Sequence, residues 1–395
     1  MNVPFYIAKR HLFAKKKQNA VNVITSISIF VVAVVSAAMI LILSAFNGIE
    51  SLVVSFYASI EPDLSLEPAT GKSMSISWLD SLSTHFPEEQ FFPILKEDVI
   101  IRYDDNQTVG TVYAVNSAYL KAKGFHELLL DGLYSPSSFH GAFVGQGVKY
   151  QLQIPSSSVA YKPIAFLMPR KGKKISKLRE QSFTTVPLNV AGVFSINAEY
   201  DSKYVFVPYQ KLASSAGYQG VVSEIAVLTK GNSQAVKEKL QQFVSKEIVV
   251  KTRAEKNTLV YETSKSEKWF TFAILIFICC IAAFNIIASV AMLIIDKRQE
   301  LRTFQSIGMS VKDITRIFLL EGMLINSIGI ALGVGFGLLI CYAQQKIGLV
   351  PMVGATVEYY PVLIKFEDIV LVSISVFTIG LFFTYLPVRF FRTKI

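Results

Sequence analysis

Four long charge-free apolar runs, split one and three by a polar insert, constrain this chain more than any other feature. They cover Gln18–Ile49, Trp269–Ile295, Gly322–Gln345 and Ile369–Val388, or 32, 27, 24 and 20 residues. At about 1.5 Å per helical residue, each can cross a hydrocarbon core of about 30 Å. Between the first and second runs lie about 220 residues, much of them polar. The pattern predicts an integral membrane protein of four transmembrane helices, with one large water-exposed domain inserted between helices 1 and 2. That insert is long enough to fold around its own core.

The net charge of +10 invites a nucleic-acid reading, but the distribution of charge argues for a membrane. Lys9, Arg10, Lys15, Lys16 and Lys17 precede the first run. Lys297, Arg298, Arg302, Lys312 and Arg316 lie between the second and third, and Arg389, Arg392 and Lys394 follow the fourth. These three places share one side if all four runs span. The positive-inside rule then puts both termini and the 296–317 loop in the cytoplasm, and the insert and the 346–367 loop outside. The first run is longer than the roughly 7–15 residues of a signal-peptide core, so a retained anchor is expected. Cys279, Cys280 and Cys341 all fall in runs two and three, which leaves the outer domain without a disulfide framework. His11, His85, His126 and His140 are scattered, and no metal site is expected.

The insert begins and ends with helical signals. Phe46, Ile49, Val53, Phe56 and Ile60 carry an apolar stripe beyond the first run, up to Glu61-Pro62. Residues 253–268 lead straight into Trp269. The outer domain is therefore expected to stand on two continuous helical stalks, which transmit displacement where a Gly/Ser linker absorbs it. Between them, Asp98–Tyr103 and Thr108–Val115 alternate around Asp104-Asp105-Asn106-Gln107, a hairpin signature. Ala142–Val144, Val159–Leu167, Phe183–Phe194, Tyr204–Val207, Glu224–Leu228 and Glu247–Lys251 read as strands, and 232–245 as a helix. This is an α+β domain. Residues 168–182 interrupt two strands with a basic segment of no apolar face, expected to project as a functional loop.

Enzyme signatures are weak. Thr70-Gly71-Lys72-Ser73 looks like the end of a phosphate-binding loop, but Leu66 stands where the full pattern needs Gly. Gly145-Gln146-Gly147 lacks the third Gly of a dinucleotide fingerprint and reads as a turn. No nucleophile, base or paired-carboxylate constellation stands out, so the chain reads as a non-enzyme that binds no cofactor. In the spans, Gly329, Gly333 and Gly337 recur every four residues, a spacing that lets two helix backbones approach. Asn285 and Ser289, one turn apart, are expected to face another helix. The cytoplasmic segment with Lys297, Arg298, Glu300, Leu301, Arg302, Ile307, Gly308 and Met309 is charged, then apolar, then turned by Gly308. It is expected to dock into a groove on a soluble partner, with Ser310 capping the helix that follows.

Several short stretches carry a family resemblance. Ala283-Phe284-Asn285-Ile286-Ile287, Met292, Ile295-Asp296-Lys297-Arg298, Glu300-Leu301, Ile307-Gly308, Ile317-Phe318 and Glu321-Gly322 resemble the permease module of FtsX-like and MacB-like ABC transporters. The resemblance is strongest to lipoprotein-releasing permeases of the LolC/LolE type. Phe5, Ala8-Lys9-Arg10, Leu12, Val23-Ile24-Thr25-Ser26-Ile27-Ser28 and Ser44-Ala45-Phe46-Asn47-Gly48-Ile49-Glu50 are similar to that family's entry helix and first span. In the insert, Pro93, Val144-Gly145, Val190-Ala191-Gly192-Val193-Phe194, Glu199-Tyr200-Asp201 and Asn257 also fit. Ala114 stands where the family tends to have Gly, and 168–182 is more basic than the family's carrier-docking hook at that place.

The resemblance implies a layout. Residues 1–21 are a cytoplasmic amphipathic entry helix, and 22–46, 269–295, 318–345 and 368–388 are spans. Residues 47–268 form a MacB-like periplasmic core domain with its stalks. Residues 296–317 are a cytoplasmic coupling segment, 346–367 a periplasmic loop and 389–395 a cytoplasmic tail. It further implies a bacterial inner-membrane permease that extracts lipoproteins for delivery towards the outer membrane. ATP-Mg would be bound by a separate cytoplasmic ABC ATPase, and a second or sister permease would complete the transporter. Lipoprotein acyl contacts are expected at Met39, Leu43 and Phe46, and contacts to a periplasmic lipoprotein carrier at Met168, Pro169, Arg170, Lys171, Lys173 and Lys174. The alternatives are an FtsX-like signalling scaffold controlling a periplasmic hydrolase and a MacB-like efflux permease.

Overall fold

The computed structural model describes residues 3–13, 20–132, 134, 139–155, 162–169, 183–352 and 357–392. The chain divides into two compact units, one drawn from residues 1–52, 262–353 and 357–395, the other from residues 53–261.

The first unit is all helical. It holds α1 (Val3–Phe13), most of α2 (Ala20–Ile60) and of α10 (Thr258–Asp296), and α11 (Arg298–Ser306), α12 (Val311–Ile347) and α13 (Phe366–Arg392). Among the described residues, α2, α10, α12 and α13 are long and apolar enough to cross a membrane, with mean hydropathies of 2.8, 2.7, 2.1 and 2.3 in their most apolar windows. Val and Ile dominate α2, although β-branched residues are middling helix formers. In lipid the backbone must satisfy itself, and that demand outweighs propensity. The helices share a core containing Met39, Ile40, Leu43, Leu275, Ile286, Val290, Phe318, Ile325, Val372 and Val376. Glycines set how closely α12 approaches its neighbours. A Cβ at Gly333 would lie 2.3 Å from the Ala33 carbonyl oxygen, and at Gly329 2.7 Å from the Val32 side chain. Gly337 meets Ala37 and Ile40, so the whole stripe packs on α2. Gly322 and Gly380 do the same between α12 and α13, against Thr384 and Asn326.

The second unit is built on a mixed sheet. Its strands are β1 (Leu64–Pro68), β2 (Met74–Ser75), β3 (Gln90–Tyr103), β4 (Asn106–Val115), β5 (Leu129–Gly132), β6 (Ala142–Gly145) and β7 (Ile164–Pro169). They continue as β8 (Phe183–Leu188), β9 (Val190–Phe194), β10 (Tyr204–Pro208), β11 (Val221–Val222), β12 (Glu224–Leu228) and β13 (Ile248–Thr252). Its helices are α3 (Trp78–His85), α4 (Ser117–Ala122), α5 (Gln146–Gln151), α6 (Ala198–Lys203), α7 (Tyr209–Ala216), α8 (Ser233–Phe243) and α9 (Arg253–Lys256), with a 3-10 turn at Phe125–Leu128. The strand order is β13-β1-β12-β3-β4-β10-β6-β9-β5, with β7 on β3 and β8 on β7, and β11 pairs β2 separately.

The fold follows from strict alternation with both faces buried. Val112 and Ala114 enter one core while Tyr113 and Val115 enter the other; Val205 and Val207 part from Phe206 in the same way. The β3–β4 hairpin turns at Asp104-Asp105, with Tyr103 paired to Asn106 and Asp104 at φ 51°, a conformation Asp tolerates.

Three local expectations change, and one falls partly outside the described residues. Gly145-Gln146-Gly147 is not a turn but the junction of β6 with α5. Its glycines are required because a Cβ at Gly145 would lie 2.3 Å from the Asp201 carbonyl oxygen. Phe183–Phe194 is two strands that part at Asn189, β8 pairing β7 and β9 pairing β6 and β5. The start of the expected 159–167 strand lies outside the described residues. The helix expected from 253 is interrupted at Asn257, and the long helix α10 starts at Thr258.

Candidate functional site

The last carbonyls of a helix have no partner within it, and α2 ends inside the second unit, out of water. Side chains from α4 and α9 take their place. Lys123 Nζ donates to the Ala58 carbonyl at 3.0 Å and to that of Glu61. Tyr119, fully buried, donates its hydroxyl to the Ile60 carbonyl, and Arg253 reaches the Glu61 carbonyl at 3.3 Å. The Glu61 carboxylate is itself buried. It accepts from Asn257 Nδ2 at 2.5 Å and from the Tyr200 hydroxyl at 3.2 Å. Arg253 also pairs with Asp63 at 2.7 Å, and the Asp63 carboxylate accepts from the Thr229 amide. Tyr57 and Ile60 then seal this socket with the aromatic core of the sheet, Tyr57 edge-on to Tyr200 at 5.6 Å.

The sequence folds this way for local reasons. Glu61-Pro62 stops α2. Asn116 caps α4 by accepting from the Tyr119 amide, which sets Tyr119 and Lys123 on one side. A capping box, Thr252 with Glu255, starts α9 and fixes Arg253 and Asn257. Burial, then the Arg253 charge, brings the Lys123 amine down to about 8. Burial, then Glu61, pushes the Tyr200 hydroxyl well up.

A second ionic cluster adjoins it. Glu224, buried, pairs with Lys96 at 3.1 Å and with Lys256, and accepts from Tyr113 at 3.2 Å. Lys256 also pairs with Glu67 at 3.4 Å, and Lys251 with Glu67 at 2.9 Å. Burial raises the Glu224 carboxyl, but the Lys96 and Lys256 ammoniums outweigh it and hold the group at about 2.

The helical unit has its own junction where three spans meet. Asn47, fully buried on α2, donates to Asp368 at 2.5 Å and to the Leu363 carbonyl at 3.2 Å. Lys268 on α10 donates to Asn47 Oδ1 at 2.8 Å and pairs with Asp368 at 3.0 Å. The adjacent Gly48 is needed for contact, since a Cβ there would lie 2.1 Å from the Pro361 carbonyl oxygen. Lys365 and Glu50 pair at 3.3 Å beside it.

At the other end, α11 carries Arg298, Glu300, Leu301 and Arg302; the side chains of the last two lie outside the described ones. Lys297 pairs with Glu300 at 2.8 Å, Gly308 turns the chain at φ 95°, and the Ser310 hydroxyl accepts from the Asp313 amide to cap α12. Arg298 and Ile307 are exposed, with Ile307 79 % accessible, while Met309 packs on the helical core. The motif residues thus form one short helix and its exit turn.

Other expected site residues fare differently. Gly329, Gly333, Gly337 and Ser289 are buried between helices. Asn285 is not: its side chain is exposed and its amide folds back to the Ala282 carbonyl at 3.3 Å, while Ser28 bonds its backbone carbonyl. Met39 and Leu43, expected to meet an acyl chain, are sealed in the chain's own helical core and present no surface to one; Phe46 is half-buried. Met168 is likewise no docking residue, being fully buried in the sheet core, and Pro169 closes β7 opposite Phe183. Arg170, Lys171, Lys173 and Lys174 lie outside the described residues. Thr70-Gly71-Lys72-Ser73 is a surface turn, not the start of a helix. Among the described residues no group of three His, Cys, Asp or Glu could hold a metal ion.

Sequence reasoning misses the socket. It makes Glu61 a helix stop, and Tyr200 and Asn257 no more than matches to a family pattern. The one available signal is an Asn at the root of a helix otherwise rich in Lys and Glu.

Comparison with known proteins gives two family matches. The MacB-like periplasmic core domain matches residues 25–243, and the FtsX-like permease C-terminal domain matches residues 272–394. The lipoprotein-releasing system transmembrane protein LolC of Buchnera aphidicola subsp. Schizaphis graminum is 20 % identical over 398 residues, covering 97 % of this chain and 94 % of that one. LolC of Neisseria meningitidis serogroup B is 22 % identical over 356 residues, covering 85 % and 81 %. Among solved structures, the periplasmic region of MacB from Actinobacillus actinomycetemcomitans matches with a TM-score of 0.38 at 12 % identity, over 51 % of this chain and 94 % of that one. The extracellular domain of the ABC-type transporter YknZ matches with 0.34 at 16 %, over 48 % and 99 %.

Proposed function

The chain belongs to the family of ABC transporter permeases that join a MacB-like periplasmic core domain to an FtsX-like membrane module, and from this premise we propose that it extracts lipoproteins from the bacterial inner membrane. The relationship to proteins named for lipoprotein release, over nearly the full length of both chains, is the observation that carries the cargo assignment. In this reading two permeases, identical or sister chains, pair with two copies of a cytoplasmic ABC ATPase that binds ATP-Mg. Both termini and α11 face the cytoplasm, and Lys297 to Met309 take up the movement of the ATPase.

The geometry supports coupling by rigid elements. α2 runs without interruption over 41 residues and α10 over 39. The end of α2 is held by Lys123, Tyr119, Arg253, Asn257 and Tyr200 rather than by a flexible linker. Lys268, Asn47 and Asp368 tie three spans together, so that motion of one is passed to the others. Cargo leaves to a soluble carrier on the outside.

The test is reconstitution. The full chain, co-purified with its ATPase from membranes, is placed in proteoliposomes with a lipidated reporter protein. ATP-dependent release of the reporter is expected. Active ATP hydrolysis with no release, or retention of a wall hydrolase in place of a lipoprotein, would overturn the cargo assignment.

A further inference from the structure

We propose that the outward face of α1 is a docking surface for anionic phospholipid headgroups, in the leaflet at the Ala20 end of the first span. The inference rests on the membrane reading alone and is independent of cargo.

α1 has two distinct sides. Ala8 is fully buried and Pro4 and Ile7 are half-buried, and the helix packs on α12. Phe5 and Tyr6 are 45 % and 50 % accessible, and Lys9 and Arg10 are exposed one turn later. At 100° per residue, Phe5 lies above Lys9 and Tyr6 above Arg10, so a pair of rings and a pair of cations sit one turn apart along one face. Among the described residues neither cation has a hydrogen-bond or ion-pair partner. Two exposed aromatics beside two unpaired cations make a poor water-facing surface. They fit the boundary of a bilayer, where rings sit at headgroup depth and cations meet phosphate.

Charge and reach select the occupant. Residues 1–19 contain Lys9, Arg10, Lys15, Lys16 and Lys17 and no acidic residue. A basic segment next to a span is drawn to anionic lipid, each cation adding about a fivefold preference near the surface. Only six residues, 14–19, separate α1 from α2. Fully extended they reach about 20 Å, which keeps α1 beside the end of the span.

The experiment follows the depth of residue 5 in the full chain. Trp78 and Trp269 are replaced by Phe, and Phe5→Trp supplies the reporter indole. The protein is reconstituted without ATPase in phosphatidylcholine nanodiscs holding about 30 % phosphatidylglycerol, with bromine on the acyl chains of one lipid or the other. Quenching per brominated lipid at least threefold stronger from phosphatidylglycerol is expected, and Lys9→Glu with Arg10→Glu should abolish the difference. Salt should weaken it in the chain that keeps Lys9 and Arg10, since the attraction is screened. Equal quenching by the two lipids overturns the anionic preference. No quenching by either, with protection of the reporter indole on adding the ATPase, overturns the lipid assignment and gives the face to the soluble partner.

Discussion

At the residue scale, buried polar groups decide what each substitution does. Glu61 takes both its side-chain hydrogen bonds from Asn257 and Tyr200. Asn257→Ala removes a donor from a buried carboxylate, so the thermal stability of the outer domain should fall by about 1–3 kcal/mol. Asn257→Asp should fall further, because it sets a second carboxylate against the first. Glu224 makes a pH prediction. Its carboxyl lies near 2 in the folded protein, against an ordinary value of 4.5. The stability it contributes is therefore complete above pH 4.5 and drains away as pH falls towards 2. Lys123 has the opposite sense: its amine lies near 8 folded against an ordinary 10.5. Between those values the unfolded chain holds the extra proton, so stability should rise with pH across that window. Thermal melts of the full chain against pH, with Glu224→Gln and Lys123→Met as controls, measure both slopes. None of these roles is legible in the sequence. A lone Glu, Lys or Tyr in an α+β segment reads as solvated surface, since its partners stand up to 196 positions away.

At the element scale, contact between helices depends on missing side chains. The α12 glycine stripe is legible from its four-residue spacing, but its partner is not; only packing shows it to be α2. Gly333→Leu should break that contact, because even a Cβ meets the Ala33 backbone. A loss of about 1–3 kcal/mol, typical of overpacking, is expected as a lower melting temperature in detergent. Helix α11 tests the drive. Exchanging charges by Arg298→Glu with Glu300→Arg breaks the Lys297–Glu300 pair at the helix surface, so it should leave the spans folded and lower the melting temperature only slightly, while separating ATP hydrolysis from release. Four glycines inserted after Ser51, inside α2, should likewise abolish release and spare hydrolysis. Transport unaffected by that insertion would remove rigid coupling through α2 from the account. Asn285 shows where element-level reasoning fails: its one-turn spacing from Ser289 suggests a shared inward face, yet about four residues turn a helix by roughly 400°. The resulting offset of about 40° leaves Ser289 inside and Asn285 at the surface.

At the scale of the whole molecule, topology is the first thing to measure. Val109→Cys, on the exposed β3–β4 hairpin, should react with an impermeant maleimide in intact spheroplasts, whereas Ile307→Cys should react only after permeabilisation. The amino-acid sequence by itself determined the four spans, the place of the insert, the β3–β4 hairpin and the cap at Ser310. Each of these is set by hydropathy, period or turn chemistry within a few neighbouring residues. The tertiary structure alone decided that α2 ends in a buried socket and that Met39, Leu43 and Met168 are core rather than contact surface. It also decided that Asn47, Lys268 and Asp368 form one junction. Burial and ion pairing depend on which distant segments meet, and desolvation gives a charge its meaning only once those segments have closed around it.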